Sequence, residues 1–593
     1  MKKIIVLLTL YSCFLSNTRA QETQIAFLAD VHLQDLYGDL SDSDYQGVLN
    51  PATGKYTYLR TMASQLHSTR IFNENYFAFL AALDAIAARN IKLVALPGDY
   101  TDDGQPLHVR GLARILHQYE KEYGMQFFIT TGNHDPVGPF LQDSGKRDFL
   151  GSEGKAQPIF SKAGMYTASE DEHAVVLSKD LAKMGYDGIL NELKDFGFFP
   201  KRSDLYWATP FNTFSYESYS YKKGMKAAQL ANRTYEVTEG FTVPDVSYVV
   251  EPVEGLWLMA IDGDVYLPKD ASGNPTDPTN YHGASLGYNN VLRNKQHLIT
   301  WAKQIADEAK QRHKTLIAFS HFPMVDFNDD ATPILKELLG TNKWQLQRVP
   351  DEAVAKAFAE AGIQIHVAGH MHINDTGVRT TESGETLVNI QTPSLAAYRP
   401  GFKILTINNS NQVQIETVTI DSVPHFKELF PLYETEYQHL QATNHPHIWN
   451  KEVLQAQTYH DFMLWHLKEL VRLRFLNDWP EPIKSFLLEN SLQQLAVQAD
   501  VQLSDNAANH TGYDVLLDFY KLRNADVLAL DDIDPQALQY YKQLIQAYKI
   551  LAPQTELQTQ LQQFFISLDA FLQGAPAKNF TVDLETGKIS GNE

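Results

Sequence analysis

Short apolar runs of strand length recur along the chain, and each ends abruptly in polar residues. Residues 25–29 lead into Asp30-Val31-His32, residues 91–96 into Pro97-Gly98-Asp99, and residues 126–131 into Gly132-Asn133-His134-Asp135. Residues 316–319 lead into Ser320-His321, and residues 363–368 into Gly369-His370-Met371-His372. Continuous apolar runs of this length, bounded by turn residues, read as buried strands. Between them lie stretches with helical spacing near 77–89, 109–121, 293–311 and 351–361; the third repeats apolar residues at Leu298, Trp301, Ala302, Ile305 and Ala309. Strand–helix–strand alternation predicts βαβ units and a mainly parallel sheet, which puts functional residues at the carboxyl ends of strands. Residues 253–261 predict another strand, ending in a turn at Asp262-Gly263-Asp264; residues 386–390, 403–407 and 413–420 predict strands that close the sheet.

Elsewhere the pattern breaks. Residues 35–65 are rich in Asp, Tyr, Gly and Ser and read as an inserted loop; residues 136–250 read as a second insertion, over the strand ends. From about 426 to 573 the chain is rich in Gln, Leu, Tyr, Glu and Lys at helical spacing, which predicts a separate all-helical domain after an α/β domain of residues 21–425. Residues 574–593 read as a loose tail. There are no internal repeats, and 593 residues suit more than one domain.

The amino terminus has its own texture. Met1-Lys2-Lys3, a short apolar run at 4–10 and Thr18-Arg19-Ala20 read as a secretory signal peptide ending at residue 20, which predicts an exported protein, periplasmic or secreted and of bacterial type. The alternative is a lipoprotein signal with Cys13 as the point of lipid attachment. No later run is long enough for a transmembrane helix. Cys13 is the sole cysteine, so cleavage at residue 20 leaves no disulfide and no thiolate ligand. Any metal must then be held by His, Asp, Asn or Glu, a donor set suited to Mn, Fe, Zn or Co. The formal net charge of −21 argues against a nucleic-acid partner.

The polar ends of the strands carry the candidate chemistry. Asp30 and His32 alternate across one residue, as do His370 and His372, so each pair faces one side of an extended segment. Gly132 permits a sharp exit with φ > 0, Asn133 offers an amide oxygen, and Asp135 is a carboxylate able to orient the His134 imidazole; a lone Asx turn is the plainer reading of that cluster. Asp99 reads as a bridging carboxylate, whereas Asp102 and Asp103 read as caps for the following helix. Arg70 reads as a solvated or capping residue, His282 as a candidate phosphate contact, and His366 as a core histidine.

In order, the chain offers Asp30-x-His32, Gly98-Asp99, Gly132-Asn133-His134-Asp135, His321 and Gly369-His370-x-His372. In these blocks it resembles the calcineurin-like metallophosphoesterases over roughly residues 24–420. The resemblance implies a two-sheet α/β sandwich flanked by helices, with two divalent or trivalent metal ions at the strand ends. It implies that Asp30, His32 and His372 hold one metal, that Asn133, His321 and His370 hold the other, and that Asp99 bridges them. His134, oriented by Asp135, would stand beside the phosphoryl group as the catalytic histidine, while a metal-bridging hydroxide attacks phosphorus in line. Gly98-Asp99-Tyr-Thr-Asp-Asp-Gly-Gln-Pro further resembles the cyclic nucleotide and glycerophosphodiester phosphodiesterase branch, which implies a small phosphodiester substrate. A phosphomonoesterase or nucleotidase on the same scaffold, and an inert binding protein that keeps the fold, are the alternatives.

Overall fold

The computed structural model describes residues 22–408 and 411–591. The leader expected at residues 1–20, with Cys13, lies outside the described residues.

Two seven-stranded sheets form the centre of the molecule. In the first, Thr23–Phe27 pairs parallel with Leu93–Pro97, which pairs parallel with Gln126–Thr130 at the edge. On its other side Thr23–Phe27 pairs antiparallel with Gly401–Ile407, followed by Gln412–Thr419. In the second, Leu256–Ile261, Thr315–Ser320, Ile365–Ala368 and Thr386–Gln391 run parallel in that order. Antiparallel strands close both edges, Asp375–Thr380 on one side and Tyr248–Val253 with Tyr206–Ala208 on the other. The central strands are buried along their length; Leu93–Pro97 and Leu256–Ile261 are unbroken apolar runs, and in the other two His366 and Asn389 hydrogen-bond each other.

The sheets face one another across a shared apolar core. Phe27 and Phe319 meet edge to face with ring centroids 6.0 Å apart. The Tyr248 hydroxyl donates to the Ile129 carbonyl at 3.0 Å, and Thr130 Oγ1 donates to the Ile261 carbonyl at 3.1 Å. Helices Asn75–Ala88, Pro106–Tyr123, His297–Gln311 and Glu352–Glu360 supply the connections between parallel strands. Pro at the first turn and Gly124 in the left-handed conformation at the end bound the second of these.

Three expectations change. The tail expected at residues 574–593 is not loose over its described part, 574–591: Asn579–Asp583 pairs antiparallel with Gln412–Thr419, and Ile589–Gly591 pairs with Asn579–Asp583. Phe580 and Val582 are fully buried, so alternate apolar side chains hold this strand to the core. The stretch 136–250 is an insertion only in part, because Tyr206–Ala208 belongs to the second sheet. The carboxyl-terminal region is helical, from Phe430–Ala442 to Glu556–Phe571, yet it is not packed apart. Its first helices bury Leu432, Tyr433, Phe462 and Met463 in the core shared by the sheets. The later ones form a second core with Phe327, Leu335, Trp344 and Met371.

Candidate metal centre

Five strand ends converge between the two sheets, and two groups of metal-capable side chains stand there: Asp30, His32 and His372, and Asp99, His321 and His370. All six are buried. His32 Nε2 and His372 Nε2 face each other at 3.0 Å, and His370 Nδ1 faces His321 Nε2 at 3.0 Å. Two imidazole nitrogens bound at right angles to one cation at about 2.1 Å stand about 3 Å apart. Asn133 Oδ1 lies 3.2 Å from His321 Nε2. Asp99 Oδ2 is 3.2 Å from His321 Nε2 and 3.9 Å from His32 Nε2, so one carboxylate reaches both groups.

The rings are held by their other nitrogens. His321 Nδ1 lies 3.1 Å from the Pro97 carbonyl and His372 Nδ1 lies 3.3 Å from the Thr69 carbonyl. Donation there fixes the proton on Nδ1 and leaves Nε2 with a free lone pair. Both Asp30 oxygens accept from the His370 backbone N–H at 2.9 Å. Burial drives the His32 and His370 pKa values well below the usual histidine range and His372 down to about 3, helped by Arg70 at His32 and His372 and by Arg348 at His370. Neutral imidazoles are what a cation needs. Burial opposes ionisation of Asp99, but His321 and His134 hold its carboxyl well below the ordinary range. Burial likewise opposes a charge on His321, which Asp99 nonetheless pushes up to about 9, and burial lifts Asp30 to about 8. The paired nitrogens and the shared carboxylate fit two cations, whose binding would release the protons held by His321 and Asp30.

The backbone around the ligands is strained and tightly approached. Asp30, His32, Asp99, His370 and His372 all take φ between 42° and 76°, a region that costs non-glycine residues about 1–3 kcal/mol each and that clusters at functional sites. Gly132 does not take positive φ; glycine is needed there because a Cβ would stand 2.4 Å from Asp99 Oδ1. A Cβ on Gly369 would meet Asp30 Oδ2 at 2.4 Å.

His134 sits at the mouth of this centre, its N–H donating to Asp99 Oδ1 at 2.7 Å. The carboxylate beside its ring is Asp103, 2.5 Å from Nδ1. Asp135 points elsewhere: it is fully buried, accepts from the Thr101 N–H at 2.8 Å and from the Thr101 hydroxyl, and burial raises its pKa far above the carboxylate range. Asp102 and Asp103 do not cap the helix at Pro106. They anchor a charge network: Asp102 takes Arg60, Arg70 and Lys146 at 2.9 Å each, and Asp103 takes Lys146 at 2.5 Å. Arg70 reaches within 3.4 Å of His134 Nδ1. His282 is exposed and lies outside the cleft over the centre, and His366 is a core residue bonded to Ser320 and Asn389.

The cleft has a volume of about 230 Å³. Its far wall comes from the second core and the helical region, including Trp344, Arg348, Arg474, Phe475 and Arg523. These residues carry no motif, and only the folded chain reveals them.

Residues 23–208 match the family model of the calcineurin-like phosphoesterases. The matched span is about a third of the chain, takes in Asp30, His32, Asp99 and Asn133, and ends before His321, His370 and His372. No curated protein matches the chain. Among solved structures it is similar to a dimetal phosphatase from Danio rerio, at 10% identity and a TM-score of 0.32 over 67% of this chain and 98% of that one. It is similar to a purple acid phosphatase from yellow lupin (Lupinus luteus) seeds, at 9% identity and a TM-score of 0.29 over 67% and 52%. A third likeness is to the anchor of the Plasmodium inner membrane complex, at 10% identity and a TM-score of 0.23 over 67% and 84%.

Proposed function

We propose that the protein is an exported hydrolase of small phosphate esters with a binuclear metal centre, and that it prefers phosphodiesters. The carrying observation is the meeting of seven N and O donors from five strand ends around one shared carboxylate. Asp30, His32 and His372 would hold one cation and Asn133, His321 and His370 the other, with Asp99 between them. When bound, such a pair supplies positive charge for the phosphoryl oxygens and acidifies water. Export rests on the leader expected at residues 1–20.

The chain's own groups do the rest. His134 lines the cleft with Nδ1 tied to Asp103, which leaves Nε2 to donate a proton to the leaving oxygen. Its N–H bond to Asp99 ties the position of the ring to the bridging carboxylate. The preference for diesters rests on the sequence from Gly98 to Pro106.

The test uses purified residues 21–593 with bis-p-nitrophenyl phosphate and p-nitrophenyl phosphate, each with Mn, Fe, Zn and Co. Metal-dependent turnover, faster on the diester, is the expected result. Faster turnover of the monoester would make the protein a phosphomonoesterase. Silence on both with every metal would leave an inert binding protein.

A further inference from the structure

Three arginines converge on the cleft from the side opposite the ligands: Arg348 at the end of the turn Leu346–Arg348, Arg474 just after the helix Tyr459–Leu473, and Arg523 in the helix Gly512–Ala525. Among the described residues none of the three has a carboxylate within 4 Å. Arg348 Nε is buried and has no hydrogen-bond partner. Arg523 finds only amide oxygens, Asn524 Oδ1 at 3.2 Å and Asn328 Oδ1 at 3.5 Å, and its guanidinium lies over the Trp344 ring at 4.7 Å. The acid on this wall, Asp478, is taken by the Trp344 N–H at 3.1 Å and by Lys343 at 3.5 Å.

Arg348 and Arg523 are half-buried and Arg474 is exposed; the fully buried arginines among the described residues, although Arg60 and Arg233 also leave Nε unpartnered, have their terminal nitrogens matched. Arg60 holds Asp102 and Asp148, Arg399 holds Asp421 and Asp531, and Arg233 donates to backbone carbonyls. A guanidinium does not shed its proton to relieve crowding. Burial, together with Arg474 and Arg70, nevertheless presses Arg348 below its ordinary range, and burial with Arg348 brings Arg523 to about 10. Cations that share one cleft, with Asp99 acting on Arg348 and Asp375 on Arg523 only from beyond contact distance, are costly unless a bound anion supplies closer counter-charge. Arg348, Arg474 and Arg523 line the same cleft as Asp99 and His370, so the anion belongs next to the metal centre.

We infer that the substrate is an organic diphosphate, with one phosphoryl group at the metal centre and a second phosphate in the leaving group held by Arg348, Arg523 and Arg474. The inference rests on the hydrolytic reading of the centre and narrows it. Three forked donors suit a dianionic phosphate with three oxygens better than a carboxylate with two. In the reaction, water adds to the scissile phosphorus, the P–O bond to the bridging oxygen breaks, and its electron pair leaves with the second phosphate. The proton lost by water goes to solvent. Trp344, already stacked on Arg523, fixes one guanidinium before substrate arrives.

The experiment compares adenosine 5′-diphosphate with adenosine 5′-monophosphate in two readouts, on wild type and on an R348Q/R523Q double variant whose fold is checked by circular dichroism. The first is kcat/KM for phosphate release by the metal-loaded protein. The second is binding to the metal-free protein, followed by tryptophan fluorescence. The expected result is a preference for the diphosphate of tenfold or more in kcat/KM, a matching preference in binding, and loss of most of both in the double variant, with partial recovery in R348K. Equal handling of the two nucleotides by wild type, or a preference untouched by the double variant, would overturn the inference. Turnover of bis-p-nitrophenyl phosphate without any diphosphate preference would overturn it and leave the hydrolytic reading intact. Arginine-dependent diphosphate binding without hydrolysis of any ester would do the reverse.

Discussion

His134 Nδ1 and an Asp103 carboxylate oxygen stand 2.5 Å apart, and Asp103 is in turn held by Lys146 at 2.5 Å. Asp103 lies four positions after Asp99, so a single loop supplies both the shared carboxylate and the group that orients the histidine. Lys146 comes from the strand Gly145–Leu150, within the stretch 136–250, which therefore braces the site from outside.

Asp103→Asn is expected to lower kcat by about 10- to 100-fold, the usual cost of losing a carboxylate that orients a working histidine. Asp135→Asn is expected to change kcat by less than about threefold, because its buried, neutral carboxyl serves Thr101. Steady-state kinetics on the two variants checks this. The reverse ranking would return the orienting role to Asp135.

Asp99→Asn removes the charge that both ligand groups share. The variant is expected to retain at most one metal per chain by elemental analysis, against two for wild type, and to lose hydrolysis by several orders of magnitude. Its far-ultraviolet circular dichroism should be unchanged. Retention of two metals would mean that Asp99 does not bridge.

The strand ends that bring metal-capable side chains together were legible because each stands at the end of an apolar run, where a strand must stop and expose its last side chains. Asp103 was misread because Asp just before a helix usually caps it; here Gln105 takes the cap position and its side chain bonds to the Leu181 carbonyl instead of the helix. Nothing local distinguishes Asp103 from Asp135, which is nearer to His134 in sequence and farther in function. Arg348, Arg474 and Arg523 sit in ordinary helical or turn contexts, and their relation to the site depends on how the carboxyl-terminal helices pack on Trp344 and Met371. The strand Asn579–Asp583 was missed because five alternating residues in a Gly- and Lys-rich setting give little periodicity to read.

Gly369→Ala puts a methyl group 2.4 Å from Asp30 Oδ2 and 2.9 Å from the Ala29 side chain. The backbone there also donates, through His370 N–H, to both Asp30 oxygens. The substitution is expected to weaken metal binding about 10- to 100-fold, as the loss of a supporting contact does at other metal sites. Titration of the metal-free variant with Mn or Zn measures this. Affinity equal to wild type would show that Asp30 tolerates displacement.

Glu74 lies fully buried at the start of the helix Asn75–Ala88, takes the Tyr433 hydroxyl at 2.7 Å and leaves its second oxygen unpartnered. Burial raises its pKa from 4.5 to about 7. The unfolded chain ionises this carboxyl near 4.5, so the folded state gains relative protonation above that pH. Its contribution to stability is whole below about 4.5 and is lost as pH rises through about 7, amounting to roughly 3 kcal/mol. Glu74→Gln keeps an acceptor for Tyr433 and carries no charge to bury. The variant is expected to match wild type in thermal midpoint near pH 4.5 and to exceed it progressively up to pH 8. Thermal denaturation across that range checks the claim, and parallel curves for the two proteins would refute it.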